Sequence, residues 1–231
     1  MLYFLQNEVL MGTPKGKNPT ESKKKIIQAA RAIIREKGIE ALSMRTLANE
    51  SKLALRTLYN LYGNKENVII AVFEHGTLVI EEATYAVQKD LKNGPWRTAY
   101  YQDWFKRIEP IFLENQALLK PSIIAGFYLG YPCAEKLTRI HKRRINIIRE
   151  TLEMAAQRDL IWKDLDLSVC ASLAYHNYFN VVLQWARGEI DDRGLIVHGR
   201  YAMNTILHTL INDPIRRENA LNLLRELKET T

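Results

Sequence analysis

Residues 42–66 read LSMRTLANESKLALRTLYNLYGNKE. Ser43 is a residue type that caps a helix start, and Leu47 and Ala48 offer an apolar face behind it, which predicts a short helix over 44–50. After the turn Ser51-Lys52-Leu53, a second short helix over 54–62 offers Leu58 and Leu61. Gly63 breaks it, and Asn64 can cap a third helix that opens at Lys65-Glu66 and continues through Val68, Ile69, Ala71, Val72 and Phe73. Upstream, Ile26, Ala29, Ala30, Ile33 and Ile34 recur at helical spacing and stop at Gly38, just past the charged turn Arg35-Glu36-Lys37. A long helix followed by two short ones across a tight turn is a helix-turn-helix arrangement. On spacing alone it also fits three ordinary core helices.

The rest of the 231-residue chain continues in helices. Trp96 to Asn115 reads as one helix, bent or interrupted at Pro110, and Pro121 is expected to start a shorter one ending near Gly130-Tyr131-Pro132. Ala134–Asp159, Leu165–Arg187 and Ile196–Asn212 follow, with a terminal helix after Pro214. No alternating strand pattern and no internal repeat is visible, so the expected fold class is all-α. With 47% hydrophobic and 26% charged residues the composition is ordinary globular, which excludes a disordered or collagen-like chain. The stretch from Val169 to Ala186 is the most apolar, but Ser172, His176, Asn177, Asn180 and Gln184 interrupt it, too many polar groups for a membrane span.

Charge is unevenly placed. Residues 1–66 hold 12 Lys and Arg against 6 Asp and Glu, a balance of +6, and residues 67–231 hold 21 against 20, which together make the net +7. A polyanion-binding head on a neutral body has this distribution. The expected organisation is a flexible basic arm over 1–21, a helix-turn-helix domain over 22–66 and a helical body over 67–231. Met1-Leu2-Tyr3-Phe4-Leu5 lacks the basic flank and length of a signal peptide, and Met11 is an alternative initiator. Cys133 and Cys170 lie 37 residues apart with no ligand partner nearby, and read as small buried hydrophobes in a reducing compartment, hence a cytoplasmic protein with no metal and no cofactor. No closely spaced histidine pair, Gly-rich phosphate loop or nucleophile elbow is present, and Asp191-Asp192 reads as an isolated acidic pair in a loop, so no catalytic residue is assigned.

The strings Ile26-Ile27-x-Ala29-Ala30, Gly38, Leu42-Ser43-Met44-Arg45-x-Leu47-Ala48 and Thr57-Leu58-Tyr59-Asn60-x-Tyr62-Gly63-Asn64-Lys65-Glu66 strongly resemble the DNA-binding head of the tetracycline-repressor family of bacterial transcription regulators. The resemblance is close over residues 22–73. It implies a homodimer on double-stranded DNA, with the helix over 54–62 in the major groove. Ala54, Leu55, Arg56 and Thr57 would then be nearest the base edges, with Asn60 one turn on. Arg56 suits guanine O6/N7 or a phosphate, Asn60 suits adenine, and Leu55 suits a thymine methyl. Tyr59, Tyr62 and Lys65 match phosphate-gripping positions of the family, although Tyr62 equally suits a core. Ser43 and Arg45 would meet phosphate at the start of the preceding helix. Lys15, Lys17 and Lys23-Lys24-Lys25 fit either an adjacent groove or a solvated face. Two positions depart from the family pattern: Lys52 stands where Gly is usual, and Ala54 where a Ser cap is usual.

For the body, the resemblance implies dimerisation through the last helix pair, here 165–187 and 196–212, with Asn180, Gln184, Tyr201, Thr205 and His208 as interface candidates. It also implies an effector that enters the body and shifts the helix starting at Lys65. Trp96, Tyr100, Trp104, Phe105, Phe112, Phe127 and Tyr128, with His141, Tyr175, His176 and Asn177 as polar orienters, are the pocket candidates and point to a bulky apolar or aromatic effector. His141-Lys142-Arg143-Arg144 fits an anionic group or a solvated basic face. A ligand-responsive repressor is the first reading, and an effector-independent architectural DNA-binding protein on the same fold is the second.

Overall fold

The computed structural model describes residues 19–93, 100–128 and 134–229. Within them the chain forms helices α1 (Pro19–Lys37), α2 (Met44–Ser51), α3 (Leu55–Tyr62), α4 (Lys65–Asn93), α5 (Tyr100–Glu114), α6 (Gln116–Tyr128), α7 (Ala134–Gln157), α8 (Leu167–Arg187), α9 (Asp192–Leu210) and α10 (Pro214–Glu229). A single 3-10 turn, Ile39–Ala41, follows α1. There is no strand among the described residues, only an isolated antiparallel bridge between Ile161 and Ile211, so the all-α class holds.

Local chemistry explains most boundaries. α1 begins at Pro19, three residues inside the stretch expected to be an arm, because proline is preset for a first helical turn and Ser22 is already buried. Ser43 caps α2 with its hydroxyl on the Thr46 amide, and Thr46 returns a bond from the Ser43 amide, closing a capping box. α9 starts four residues earlier than periodicity suggested, because Asp191 caps it by accepting from the Gly194 amide at 2.7 Å. The acidic pair is therefore structural: Asp192 accepts from Trp185 Nε1 at 2.8 Å and from Gln116 Nε2 at 2.8 Å.

Pro121 corrects the sequence reading, and of the two alternatives at Pro110 the interruption does not occur. α5 runs through Pro110 without interruption, and α6 starts five residues before Pro121 and includes it. A proline removes one ladder bond, and here packing on neighbouring helices outweighs that loss. Ile108, Phe112, Leu119 and Ile123, which bracket the two prolines, all lie in one buried cluster with Trp185. Cys170 is half-buried rather than buried, and burial is the first cause pushing its thiol up. Cys133 lies outside the described residues, as do the expected arm up to residue 18 and Trp96.

α1, α2 and α3 close around a cluster that includes Ile26, Ala30, Leu42, Leu47 and Leu58. Val68, Ile69 and Val72 of α4 and Ala125 of α6 belong to the same cluster, so a boundary after Glu66 cuts through it. α4, 29 residues and about 43 Å long, then leaves the head and becomes a wall of the body. α6 crosses it unusually closely. A Cβ on Gly76 would sit 1.9 Å from Ser122 Oγ, and one on Gly126 would sit 2.3 Å from the Phe73 ring, so glycine alone permits this approach.

Candidate nucleic-acid interface and ligand cavity

α2 and α3 are joined by a turn in which Lys52 takes a left-handed conformation, φ 55° and ψ 36°. Ala54 is the N-cap of α3 rather than its first residue, and offers no side-chain bond. The hydroxyl of a Ser cap would accept an amide there; instead only backbone bonds, such as the Thr57 amide to the Ala54 carbonyl at 2.8 Å, tie the first turn. Ala54, Leu55, Arg56, Tyr59 and Asn60 lie on the exposed side of α3, and Thr57 is half-buried. Leu58 is fully buried beneath them. Ser43 and Arg45 are exposed at the start of α2. Tyr62 differs: its ring packs against the head cluster, and burial pushes its hydroxyl up to about 12. Core packing thus explains Tyr62 without a phosphate. Lys65 stands over the Tyr128 ring, 5.7 Å from its centroid.

In the body, a cavity of about 140 Å³ lies between α4 (Thr77, Ile80, Glu81, Thr84), α7 (Arg144, Ile147, Ile148, Thr151, Leu152) and α8 (Tyr175, Tyr178, Phe179, Val182). Trp104 and Phe112 of α5, Ile123 of α6, and Met203 and Leu207 of α9 complete the lining. Glu81 is 7% exposed and pairs with Arg143 Nε at 2.7 Å and Arg144 Nε at 3.4 Å. Arg144 also donates to Thr77 Oγ1 and lies over the Phe73 ring. The threonines are satisfied within the wall: Thr84 accepts from Trp104 Nε1 at 3.3 Å and donates to the Ile80 carbonyl at 2.8 Å, and Thr151 donates to the Ile147 carbonyl at 2.9 Å. Tyr178 is pushed upward, first by burial and then by Glu109.

Of the aromatic candidates, Trp104, Phe112 and Tyr175 line this cavity. Phe105 is buried behind the wall, edge-on to Trp104, and the Tyr100 side chain lies outside the described residues. Phe127 and Tyr128 are exposed at the end of α6, under Arg187 and Lys65 respectively. His176 and Asn177 face outward, and His176 Nδ1 instead meets its own helix at the Ser172 carbonyl, 2.7 Å away. His141 sits one layer out, with Nδ1 2.7 Å from the Tyr175 hydroxyl, and is pushed down to about 4 by burial, then by Arg144 and His176.

The α4 side of the cavity escaped the sequence reading. Its signal is a polar series at helical spacing along α4, Thr77, Glu81, Thr84 and Gln88. Gln88 donates to the Ile147 carbonyl at 3.1 Å, which continues the polar α4–α7 seam beyond the cavity.

Asn180 is exposed and Gln184 half-buried on α8, on the same outward side as Val169 and Leu173, each 53% exposed. On α9, Thr205 is exposed, whereas the Tyr201 hydroxyl donates to the Leu224 carbonyl of α10 at 2.8 Å. His208 is half-buried and its Nε2 has no hydrogen-bond partner.

A helix-turn-helix head with an exposed α3 face, joined by one long helix to a cavity-bearing helical body, defines a DNA-binding regulator architecture. Residues 26–72 match the family model for bacterial regulatory proteins of the tetR family. The fold is similar to that of Thermus thermophilus FadR, a TetR-family repressor solved with lauroyl-CoA, at 18% identity over 83% of this chain and 96% of that one, TM-score 0.62. It is also similar to Bacillus subtilis FadR with stearoyl-CoA, at 18% identity over 81% and 98%, TM-score 0.64. SmeT, the Stenotrophomonas maltophilia efflux-pump repressor, is similar at 16% identity over 84% and 92%, TM-score 0.64, and its triclosan complex is similar as well. No curated protein sequence matches the chain. The matched residues 26–72 carry the family's DNA-binding head, and the rest of the chain shares the fold of these regulators.

Proposed function

We propose that the chain is a ligand-responsive repressor that binds a palindromic DNA site as a homodimer and is released when an apolar or aromatic effector enters the body. The observation that carries this reading is α4, which supplies Val68, Ile69 and Val72 to the head's core and Thr77, Ile80, Glu81 and Thr84 to the cavity wall. A ligand that prefers one packing of that wall must bias the head by the same free energy. The ligands held by FadR and SmeT support a ligand-binding role for the equivalent body. Arg56 and Asn60 read bases, Ser43, Arg45, Tyr59 and Lys65 hold phosphate, and the outward side of α8 with α9 joins the subunits so that half-sites fall about 34–36 Å apart or a multiple of it. No reaction is assigned, and the proposed setting is the cytoplasm. No helix among the described residues is long and apolar enough to cross a membrane.

The test is selection of bound fragments from the source genome, beginning with DNA upstream of the protein's own gene, followed by a metabolite panel screened for release. Recovery of a palindrome that a hit displaces is expected. Recovery of unrelated sequences with no inverted repeat would point to an architectural protein and overturn the repressor reading.

A further inference from the structure

Resting on that reading, the cavity's size and wall chemistry narrow the effector further. A dry apolar cavity of about 150 Å³ takes one benzene ring, and this one is about 140 Å³. Its charged lining residues are already spent on one another: Glu81 lies between Arg143 and Arg144, and Arg143 is shared with Glu74 at 3.3 Å. Two carboxylates and two guanidinium groups cancel. A carboxylate placed there would face Glu81, and an ammonium would face Arg144, each in a desolvated site where like charge is costly. Thr77, Thr84 and Thr151 each donate to a carbonyl of their own helix.

Tyr175 is a wall hydroxyl whose one bond, to His141, leaves capacity for a ligand. Its hydroxyl meets His141 Nδ1, and that bond runs either way with the imidazole tautomer. In one tautomer the phenol oxygen retains free lone pairs, and in the other its proton is free. A ligand hydroxyl, both donor and acceptor, can answer either state. Arg144 also acts on the Tyr175 hydroxyl. His141 is neutral at pH 7, so this corner adds no charge.

We infer that the effector is an uncharged monocyclic phenol, its ring held between Ile80, Ile147 and Val182 and its hydroxyl at Tyr175. A free acid would face Glu81, and a longer acyl chain would extend beyond the 140 Å³ of the cavity.

Thermal unfolding of the full chain with phenol, p-cresol, toluene, benzoate and lauroyl-CoA tests this directly. At about 100 times its Kd, p-cresol should raise Tm by roughly 5–10 °C. Toluene should bind roughly tenfold more weakly for want of one hydrogen bond, and benzoate and lauroyl-CoA should leave Tm unmoved. In Tyr175→Phe the preference for p-cresol over toluene should vanish while toluene still binds. Binding of benzoate or lauroyl-CoA as tight as that of p-cresol, equal binding of toluene and p-cresol, or failure of both phenols to bind would overturn the inference. DNA release is read separately. Release by lauroyl-CoA would sink this ligand class and leave the repressor reading intact, whereas tight p-cresol binding with DNA still held would do the reverse.

Discussion

Lys52 sits in a left-handed turn conformation that costs a side-chain-bearing residue about 1 kcal/mol, and it does so while its amide closes α2 onto the Ala48 carbonyl. Lys52→Gly should therefore stabilise the chain by about 0.5–1 kcal/mol in urea unfolding, despite the entropy glycine adds to the unfolded state. A loss of stability would mean that the lysine side chain contributes something beyond its backbone shape. Two neighbours should separate by role. Lys65→Ala is expected to weaken binding to all DNA alike and lower the salt slope by about 1, whereas Arg56→Ala relaxes preference at one base pair per half-site. Titrations at several salt concentrations on specific and random duplexes check both. His141 has a pKa lowered from 6.5 unfolded to about 4 folded, so the unfolded chain binds more protons between those values. Its contribution is complete above about pH 6.5 and is lost as pH falls towards 4. Discounted for the ring's partial exposure, it is on the order of 2 kcal/mol. His141→Gln should flatten the stability profile across that window, and an unchanged slope would assign the acid sensitivity elsewhere.

At the scale of elements, the α4–α6 crossing depends on two glycines, Gly76 and Gly126. Gly76→Ala would raise helix propensity by about 1 kcal/mol in isolation, yet the added methyl meets Ser122 Oγ at 1.9 Å. Overpacking should win, with a net loss of about 1–3 kcal/mol in denaturant unfolding. The double variant with Ser122→Gly should recover part of it. The head was legible in the sequence because its signals are local: Ser43, Gly38, Gly63 and Asn64 each act within a turn of their own position, and Asn64 does accept from the Asn67 amide at 2.9 Å. Pro121 misled because its cost is local while the packing that outweighs it comes from α4 and α8. The cavity was legible only in part. Trp104, Phe112 and Tyr175 stand out as large rings, but Glu81 and Arg144 are meaningful only as a pair from two helices that meet 63 residues apart. Phe127 and Tyr128 look like pocket walls by type and are instead exposed at the end of α6.

For the whole molecule, the outward side of α8 is the surface whose state matters most. Val169 and Leu173 project from it with Asn180, a mixed strip suited to a second copy of itself. Leu173→Glu should yield a monomer in sedimentation at micromolar concentration and lose operator affinity, while its thermal response to a cavity ligand persists. A dimer that survives the change would move the subunit contact elsewhere. The +6 carried by residues 1–66 over a nearly neutral body agrees with a protein whose polyanion contacts are confined to one end.

The shared cluster beneath the head has a consequence for cooperativity. Because Val68, Ile69, Val72 and Ala125 form the floor on which α1, α2 and α3 rest, the head and the body are expected to melt together. Calorimetry should show one endotherm, with van't Hoff and calorimetric enthalpies equal for the dimer transition. A fragment ending at Glu66 should lack a fixed tertiary fold. The head, so easily excised as a string of letters, is expected to fold only on the α4 and α6 residues that complete its core.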